Sequence, residues 1–299
     1  MKTKPLVSVV MITYGHEHFI REAMEGVLMQ KCNFDVELIL SNDCSPDRTN
    51  KIIEELLENH PNASWVKYFN HATNVGMMHN FHFALQQAKG TYIALCDGDD
   101  YWTDAAKLEK QVQFLSNNDS MAACFHNVSV ISNEKSTLYF QDKQEGAVTA
   151  EEIVLNGGGV YPTASLLFRN EISLPDFTLQ SKAGDSALAF SLLEKGHFYF
   201  MNDTMAAYRK HAGGVFSSIK NDQSKRLEDI KSNLNLLVNY RKIAVNTPKE
   251  YFTQAISKQL DQFSNHFGTS KLWELKRTTA LTTKDIVLFL TKKIKDKFK

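Results

Sequence analysis

The sequence predicts an α/β protein with a mostly parallel sheet, helices on both faces of that sheet, and a helical tail at the C-terminus. Three observations support this fold class. β-Branched apolar runs alternate with segments of helical spacing through about the first hundred residues. Polar clusters follow directly after the predicted strands, where parallel sheets bind ligands. From Asp222 onward the spacing of apolar residues is helical throughout.

The alternation begins at the N-terminus. Leu6–Thr13 is rich in β-branched residues and predicts a strand, and Phe19–Met29 has apolar residues at helical spacing. The other strands predicted in the first half are Val36–Leu40, Trp65–Phe69 and Thr91–Cys96, and the other helices are Arg48–Asn59 and Phe81–Ala88. In the second half we predict strands at Met121–Ile131, Ser136–Phe140, Ser165–Arg169, Phe198–Phe200 and Met205–Tyr208, and helices at Glu151–Asn156 and Ala183–Lys195.

The domain organisation is inferred from this pattern. No internal repeat and no low-complexity linker interrupts the 299 residues. The change from mixed to purely helical spacing therefore predicts a catalytic domain over residues 1–218 and a C-terminal helical extension over residues 219–299.

Composition narrows the function classes. Lys plus Arg number 34 and Asp plus Glu number 34, so the formal net charge is zero and bulk electrostatic binding of nucleic acid is not expected. The N-terminus does not resemble an export signal, and no apolar run is long enough to span a bilayer. The four cysteines have neither zinc-site spacing nor a disulfide-dense pattern. We expect a cytoplasmic protein.

The segment Asp97-Gly98-Asp99-Asp100 comes directly after an apolar strand. Carboxylates crowded at a strand end repel one another unless a cation neutralises them. Hard oxygen ligands with open coordination positions suit Mg²⁺ or Mn²⁺ bridging a diphosphate. A solvated acidic turn is the equally open alternative, because Asp and Gly are ordinary turn residues.

Four other polar positions are candidate site residues. Asp43 ends the second strand, where a carboxylate can accept hydrogen bonds from a ribose or base, and Thr13 and Tyr14 end the first strand. A loop Asp that caps the following helix is the alternative for Asp43. Asp185 lies at a predicted helix start, where Asp is common simply because it caps the helix.

A basic segment follows the last predicted strand. Tyr208–Gly214 places two cations and an imidazole beside a glycine pair, which suits a loop that closes over a diphosphate. A basic surface turn is the alternative.

Six of these segments occur in a particular order: Val7–Tyr14, Glu37–Thr49, Asn74–Gly76, Lys89–Trp102, Gly184–Asp185 and Tyr208–Gly214. In that order they resemble the opening strand, nucleoside-binding turn, Asn-x-Gly loop, Asp-x-Asp strand, Glu-Asp pair and Tyr-Arg-x-His element of the inverting family-two glycosyltransferases, of the type that builds bacterial surface glycans. The resemblance covers residues 5–218 and implies a Rossmann-like GT-A fold. Each motif is weak alone, and the ordered set is specific.

The resemblance also implies roles. Asp99 would bind a divalent metal (Mn²⁺ or Mg²⁺), with Asp97 on the ribose or the metal and His211 near the metal or diphosphate. Asp185 would deprotonate the acceptor hydroxyl, so that direct displacement inverts the anomeric carbon. The implied donor-site residues are Thr13, Tyr14, Asp43, Asn74, Gly76, Asp97 and Arg209. Two positions depart from the pattern, since Gly184 stands where many relatives have Glu and Asn42 where an acid is frequent.

The implied partners are a nucleotide diphosphate sugar donor and a glycan or lipid-linked acceptor. A catalytically inactive sugar-nucleotide-binding relative is one alternative, and a sugar-nucleotide pyrophosphorylase is another. The turn Tyr14–His18 is not the glycine-rich basic loop expected of a pyrophosphorylase, nor the Gly-x-Gly-x-x-Gly of a nicotinamide-dependent dehydrogenase.

The C-terminal tail has two interpretations. As a helix, residues 282–299 would place Ile286, Leu290, Ile294 and Phe298 on one face with lysines mostly elsewhere. Such a helix could bind the inner face of an anionic membrane, which would suit a lipid-linked acceptor. A terminal helix packed on the rest of the protein, with an exposed lysine-rich end, is the alternative.

Overall fold

The structure is a computed structural model that describes residues 5–132, 135–211 and 222–297. Two compact units are present. The first comprises Met1–Val148, Tyr161–Ser173 and Lys195–His211, and the second comprises Thr149–Val160, Leu174–Glu194 and Ala212–Lys299. The division into residues 1–218 and 219–299 stays a prediction.

The first unit contains the sheet. Within the described residues its strands are β1 (Val7–Thr13), β2 (Val36–Asn42), β3 (Val66–Asn70), β4 (Tyr92–Leu95), β5 (Tyr101–Trp102), β6 (Met121–Ser132), β7 (Lys135–Leu138), β8 (Gly146–Val148), β9 (Leu167–Arg169) and β10 (His197–Arg209). They lie in the order β3-β2-β1-β4-β9-β6-β10-β5, with β7 paired to β6 and β8 paired to β10. The helices are α1 (Ile20–Leu28), α2 (Thr49–Asn59), α3 (Met77–Gln87) and α4 (Lys107–Ser116).

The register of the parallel strands decides which loops meet. β1 pairs in parallel with β2 from Val7↔Val36 to Thr13↔Asn42, and with β4 up to Val10↔Leu95. β5 instead pairs antiparallel with β10, where Trp102 lies opposite Ala206. The carboxyl ends of β1, β2 and β4 therefore lie at one edge, and the end of β10 reaches the segment that follows β4.

The predicted fold class is confirmed, with differences in individual elements. Phe198–Phe200 and Met205–Tyr208 are parts of one strand, β10, whose register shifts between Met201 and Ala206. The predicted helix Phe81–Ala88 begins earlier, at Met77, directly after Gly76 with φ 89°. The sequence did not indicate α4, β5 or β8.

The second unit is helical. Its helices within the described residues are α5 (Ala150–Leu155), α6 (Gly184–Leu193), α7 (Gln223–Ile243), α8 (Lys249–Phe267), α9 (Leu272–Arg277) and α10 (Thr283–Lys297). Tyr240 joins α7 to α6, since its hydroxyl lies 2.8 Å from Ser191 Oγ and donates to the Ala187 carbonyl at 2.8 Å. Arg241 joins α7 to α10 through a 2.7 Å ion pair with the buried Asp285.

The apolar face predicted for the tail is only partly exposed. Ile286 is buried, Leu290 is partly buried and Ile294 is exposed, while Phe298 lies outside the described residues. Within the part of the chain that the structure describes, no helix is both long enough and apolar enough to cross a membrane. Peripheral membrane contact through this tail stays a prediction.

Candidate active site

The acidic segment after β4 packs against the end of β1. The Gly98 N–H donates to the Ile12 carbonyl at 3.0 Å, which continues the hydrogen bonding to β1 beyond the end of β4. A Cβ at Gly98 would lie 2.6 Å from Thr13 Oγ1 and 3.0 Å from His16 Nδ1. Those two atoms are themselves 3.1 Å apart. Only glycine therefore fits between Asp97 and Asp99 at this position.

Asp99 lies beside two imidazoles. Its Oδ2 is 3.1 Å from His211 Nε2 and 3.8 Å from His16 Nε2. The Phe19 ring packs on His211 with 4.6 Å between ring centroids and limits where that ring can lie. Burial lowers the pKa of His16, although the charge of Asp99 opposes this effect. A neutral imidazole is the form that can bind a metal or accept a hydrogen bond.

Arg209, at the end of β10, binds the acidic segment through both its backbone and its side chain. Its N–H donates to Asp100 Oδ1 at 2.9 Å, and its guanidinium donates to the Asp99 carbonyl at 2.8 Å. The same guanidinium pairs with Glu22 and lies 4.1 Å from the ring centre of Tyr101. Asp100 is buried, and burial followed by the charge of Asp99 raises its pKa well above the ordinary value.

The loop after β2 is organised by Asp43. Its N–H donates to the Thr13 carbonyl at 2.9 Å, and its carboxylate accepts from the N–H groups of Val75 (2.7 Å) and Gly76 (3.0 Å). Asn74 Oδ1 accepts from the Gly76 N–H at 3.0 Å. Asp43 thus connects the ends of β1 and β2 to the start of α3. Tyr14, whose side chain is exposed, directly follows the end of β1.

The side chains at this edge supply only part of the ligands that a hard divalent cation needs. In residues 5–132, 135–211 and 222–297 no three His, Cys, Asp or Glu side chains form a ready metal site. The Asp99 carboxylate and the His211 imidazole, 3.1 Å apart, could supply two ligands. Mg²⁺ and Mn²⁺ are often held by one or two protein groups together with substrate phosphates. The pair therefore fits a metal completed by a diphosphate.

Asp185 belongs to the second unit, in the first turn of α6. Its Oδ1 accepts from the Ser186 N–H at 2.8 Å. A glycine turn packs on this turn of helix, because a Cβ at Gly158 (φ +83°) would lie 2.4 Å from Ser186 Cα. Burial raises the pKa of Asp185, hydrogen bonds from Ser186 oppose the rise, and the Asp229 carboxylate of α7 adds to it. Asp185 is thus both a helix-end residue and a carboxylate of raised basicity.

The structure brings the nine candidate site residues of the first unit to one edge of the sheet: Thr13, Tyr14, Asp43, Asn74, Gly76, Asp97, Asp99, Arg209 and His211. Gly213 and Gly214, predicted as a closing loop, lie outside the described residues. Sequence reasoning assigned no individual role to His16, Glu22, Asp100 and Asp229. Only Asp100 had a local signal, its place in the acidic segment.

Comparison with known proteins identifies the family. Residues 8–170 match the profile of Glycosyl transferase family 2, which is more than half of the chain. The chain therefore belongs to glycosyl transferase family 2.

Two curated relatives and two solved structures are similar to it. An uncharacterised protein of Mycobacterium tuberculosis is 34% identical over 226 residues, covering 73% of this chain and 63% of that protein. The putative teichuronic acid biosynthesis glycosyltransferase TuaG of Bacillus subtilis is 30% identical over 209 residues, covering 69% of this chain and 79% of TuaG. The chain thus spans less than two thirds of the length of the mycobacterial relative.

The solved structures support the GT-A fold. Residues 1–349 of S. aureus TarS in complex with UDP-GlcNAc superpose with a TM-score of 0.64 at 19% identity, covering 95% of this chain and 79% of that chain. The mannosyltransferase PcManGT from Pyrobaculum calidifontis, in complex with GDP-Man and Mn²⁺, superposes with a TM-score of 0.56 at 14% identity, covering 98% and 80%.

Replacement of Gly98 by Ala tests the packing of the acidic segment. The added methyl group would displace Thr13 or His16 and move Asp99 away from His211. We expect at least about tenfold weaker binding of UDP or GDP with Mn²⁺, measured by calorimetry, while the protein stays folded.

Gly196→Ala is the matched control. Its Cβ would lie 2.6 Å from the Ser120 carbonyl oxygen, at the opposite end of β10 from Arg209. This variant should lose stability and keep its nucleotide affinity. Unchanged affinity in Gly98→Ala would contradict the geometry described for the acidic segment.

Proposed function

We propose that this protein is a metal-dependent, inverting glycosyltransferase that transfers a sugar from a nucleotide diphosphate sugar to an acceptor hydroxyl. The observation that carries the proposal is the contact of Asp99 with His211 at the edge where β1, β2 and β4 end. Family membership supports the same activity.

The first unit would hold the donor. Thr13, Tyr14 and Asp43 lie at the ends of β1 and β2, where a parallel sheet receives a nucleoside. Asp99 and His211 would hold Mn²⁺ or Mg²⁺, and Asp97 would contact the ribose or the metal. Once bound, the cation would neutralise charge on the departing diphosphate. The protein's own part is to fix these groups. Arg209 does so through its backbone N–H, which donates to the Asp100 carboxylate, and through its guanidinium, which donates to the Asp99 carbonyl.

Asp185 would act as the general base. It would remove the proton of the acceptor hydroxyl as the oxygen attacks the anomeric carbon, so that one displacement inverts that carbon. A carboxylate of raised pKa is better matched to this role at neutral pH. In this chain the like charge comes from Asp229, because position 184 holds Gly instead of the Glu that the family resemblance suggests.

The acceptor class is proposed from the relatives. TuaG is described as acting in teichuronic acid biosynthesis, which supports an acceptor that is a surface glycan or its lipid-linked precursor. We place the protein in the cytoplasm, at or near the inner face of the plasma membrane. The simultaneous presence of Asp97, Asp99, Asp185 and His211 supports an active enzyme over an inactive sugar-nucleotide-binding relative.

Asp185→Asn separates transfer from donor binding. The amide keeps an acceptor for the Ser186 N–H but cannot take a proton. Transfer should fall by about two orders of magnitude or more, with nucleotide affinity unchanged. Transfer is measured as the release of nucleoside diphosphate with a panel of nucleotide sugars and acceptors. Nucleotide affinity is measured by calorimetry.

The raised pKa of Asp185 also predicts how the same variant affects the stability of the fold. A folded-state pKa above the unfolded value means that ionised Asp185 destabilises the fold at neutral pH, and that this cost vanishes as pH falls below the ordinary Asp range. Asp185→Asn should therefore melt no lower than the wild type at pH 7. Near wild-type transfer combined with weaker donor binding would assign Asp185 to the donor site.

Asp229→Asn tests the electrostatics of the base. Of the charged groups in this unit, Asp229 acts on Asp185, and Lys182 acts on Asp229. Removal of the like charge should lower the pKa of Asp185. The acid limb of kcat/KM for transfer should then move to lower pH by about a few tenths of a unit.

Glu228→Gln, one residue earlier on α7, is the control because Glu228 pairs with Lys231 on the exposed surface. Its acid limb should stay in place. An acid limb that stays fixed in Asp229→Asn, or moves to higher pH, would exclude Asp229 as the residue that tunes Asp185.

A further inference from the structure

The second unit contains a cavity that the donor and base assignments do not use. Its volume is about 370 Å³, within the ~300–1,000 Å³ typical of small-molecule sites. One wall is the face of α7 that carries Ser232, Asn235 and Asn239. The other walls come from the short 3₁₀ helix Asp176–Gln180 and from the turn after α9.

The cavity is rich in hydrogen-bond donors. Asn235 Oδ1 accepts from the Ala280 N–H at 2.6 Å, and Asn239 Oδ1 accepts from Lys242 at 3.1 Å. Both amides therefore have their NH₂ groups left to donate. Ser232 Oγ accepts from the Lys182 N–H at 2.9 Å, which leaves its hydroxyl hydrogen to donate as well.

Two hydroxyl groups at the cavity can accept hydrogen bonds. Thr278 and Thr279 both donate to the Leu275 carbonyl, at 3.1 and 3.0 Å, so their oxygens can accept. Phe177 adds an apolar ring, held by an edge contact with Tyr240 at 5.1 Å between centroids. Amides, hydroxyls and one aromatic ring suit a ligand with many hydroxyl groups and an apolar ring face, which is the chemistry of a saccharide.

The charge among the described residues that line the cavity is positive. Arg277, at the end of α9, lines it, and none of the described lining residues carries a carboxylate. Among the residues that the structure describes, Arg277 makes no ion pair. A guanidinium beside several N–H and O–H donors suits a carboxylate or phosphate, which it can bind through two hydrogen bonds.

The cavity and the proposed base share a helix. Asp229, whose charge acts on Asp185, lies one turn before Ser232 on α7. From Asp229 to Asn235 the helix rises about 9 Å. The segment that leads into α6 also borders the cavity through Ser181. A single short oligosaccharide could therefore reach both places within this unit.

We infer that this cavity is a subsite for the acceptor, binding a saccharide unit that carries a carboxylate or phosphate and lies beyond the hydroxyl that receives the sugar. This assignment rests on the proposed function for its link to Asp185. Binding to the cavity can nevertheless be measured without donor and without turnover.

Calorimetric titration of the full chain tests the subsite. The probes are cellobiouronic acid, its neutral counterpart cellobiose, glucose 6-phosphate and inorganic phosphate. At least one anionic saccharide should bind saturably, and more tightly than cellobiose and inorganic phosphate. Arg277→Ala should weaken that binding by about tenfold or more, since it removes a charge-assisted contact. Asn239→Ala should weaken it less.

Arg226→Ala is the matched control, because Arg226 is an exposed arginine on α7 that does not line the cavity. It should bind the probes as the wild type does. The subsite is excluded if no saccharide binds saturably at millimolar concentration, or if Arg277→Ala binds as well as the wild type. Equal affinity for inorganic phosphate and glucose 6-phosphate would also exclude a saccharide site.

These outcomes separate the subsite from the proposed function. Loss of the subsite with nucleotide-sugar turnover intact leaves the glycosyltransferase proposal standing. Saturable binding that depends on Arg277, without turnover of any nucleotide sugar, refutes the activity and keeps the cavity as a saccharide site.

Discussion

Three carboxylates within four residues, Asp97, Asp99 and Asp100, have to be held at one strand end although their charges repel one another. Arg209 provides the compensation. Its N–H binds the buried Asp100, and its guanidinium binds the Asp99 carbonyl and pairs with Glu22. The Asp99 side chain is left to face His211. The antiparallel pairing of β5 with β10 makes this possible, because it places Arg209 beside Asp100.

The proposed chemistry is divided between the two compact units. The first unit fixes groups that suit a nucleotide and a metal, and their positions follow from where parallel strands end. The second unit provides a carboxylate at a helix start, a neighbouring like charge from Asp229, and a donor-rich cavity with one arginine. Donor specificity and acceptor specificity would accordingly depend on different residues.

Much of the first unit could be predicted because its signals are local. The apolar strand Val7–Thr13 and the acidic segment after β4 are each visible as a short continuous stretch of sequence. The parallel pairing of β1 with β4 then brings the two to one edge of the sheet. The helix α4 was missed because its inward face carries a lysine. Lys107 is fully buried, donates to Gln111 Oε1 at 2.7 Å and lies 4.0 Å from the ring centre of Trp102.

The contacts that shape the site could not be predicted in the same way. The pair of Arg209 with Glu22 joins positions 187 residues apart, and neither residue has a local pattern that indicates the other. The action of Asp229 on Asp185 likewise depends on how α7 packs within the second unit. Strand β10 was predicted as two strands because the polar residues Asn202 and Asp203 occupy its irregular part.

The proposed metal-dependent nucleotide site depends above all on Asp99. Thermal melting with UDP or GDP, each with and without Mn²⁺, tests it most directly, because a ligand that binds only the folded state raises the melting temperature. The wild type should be stabilised by nucleotide only when Mn²⁺ is present, and Asp99→Ala should lose that response. Asp119→Ala, which removes a carboxylate that is 99% exposed, should keep it. An equal stabilisation of Asp99→Ala, or a shift independent of Mn²⁺, would contradict the account.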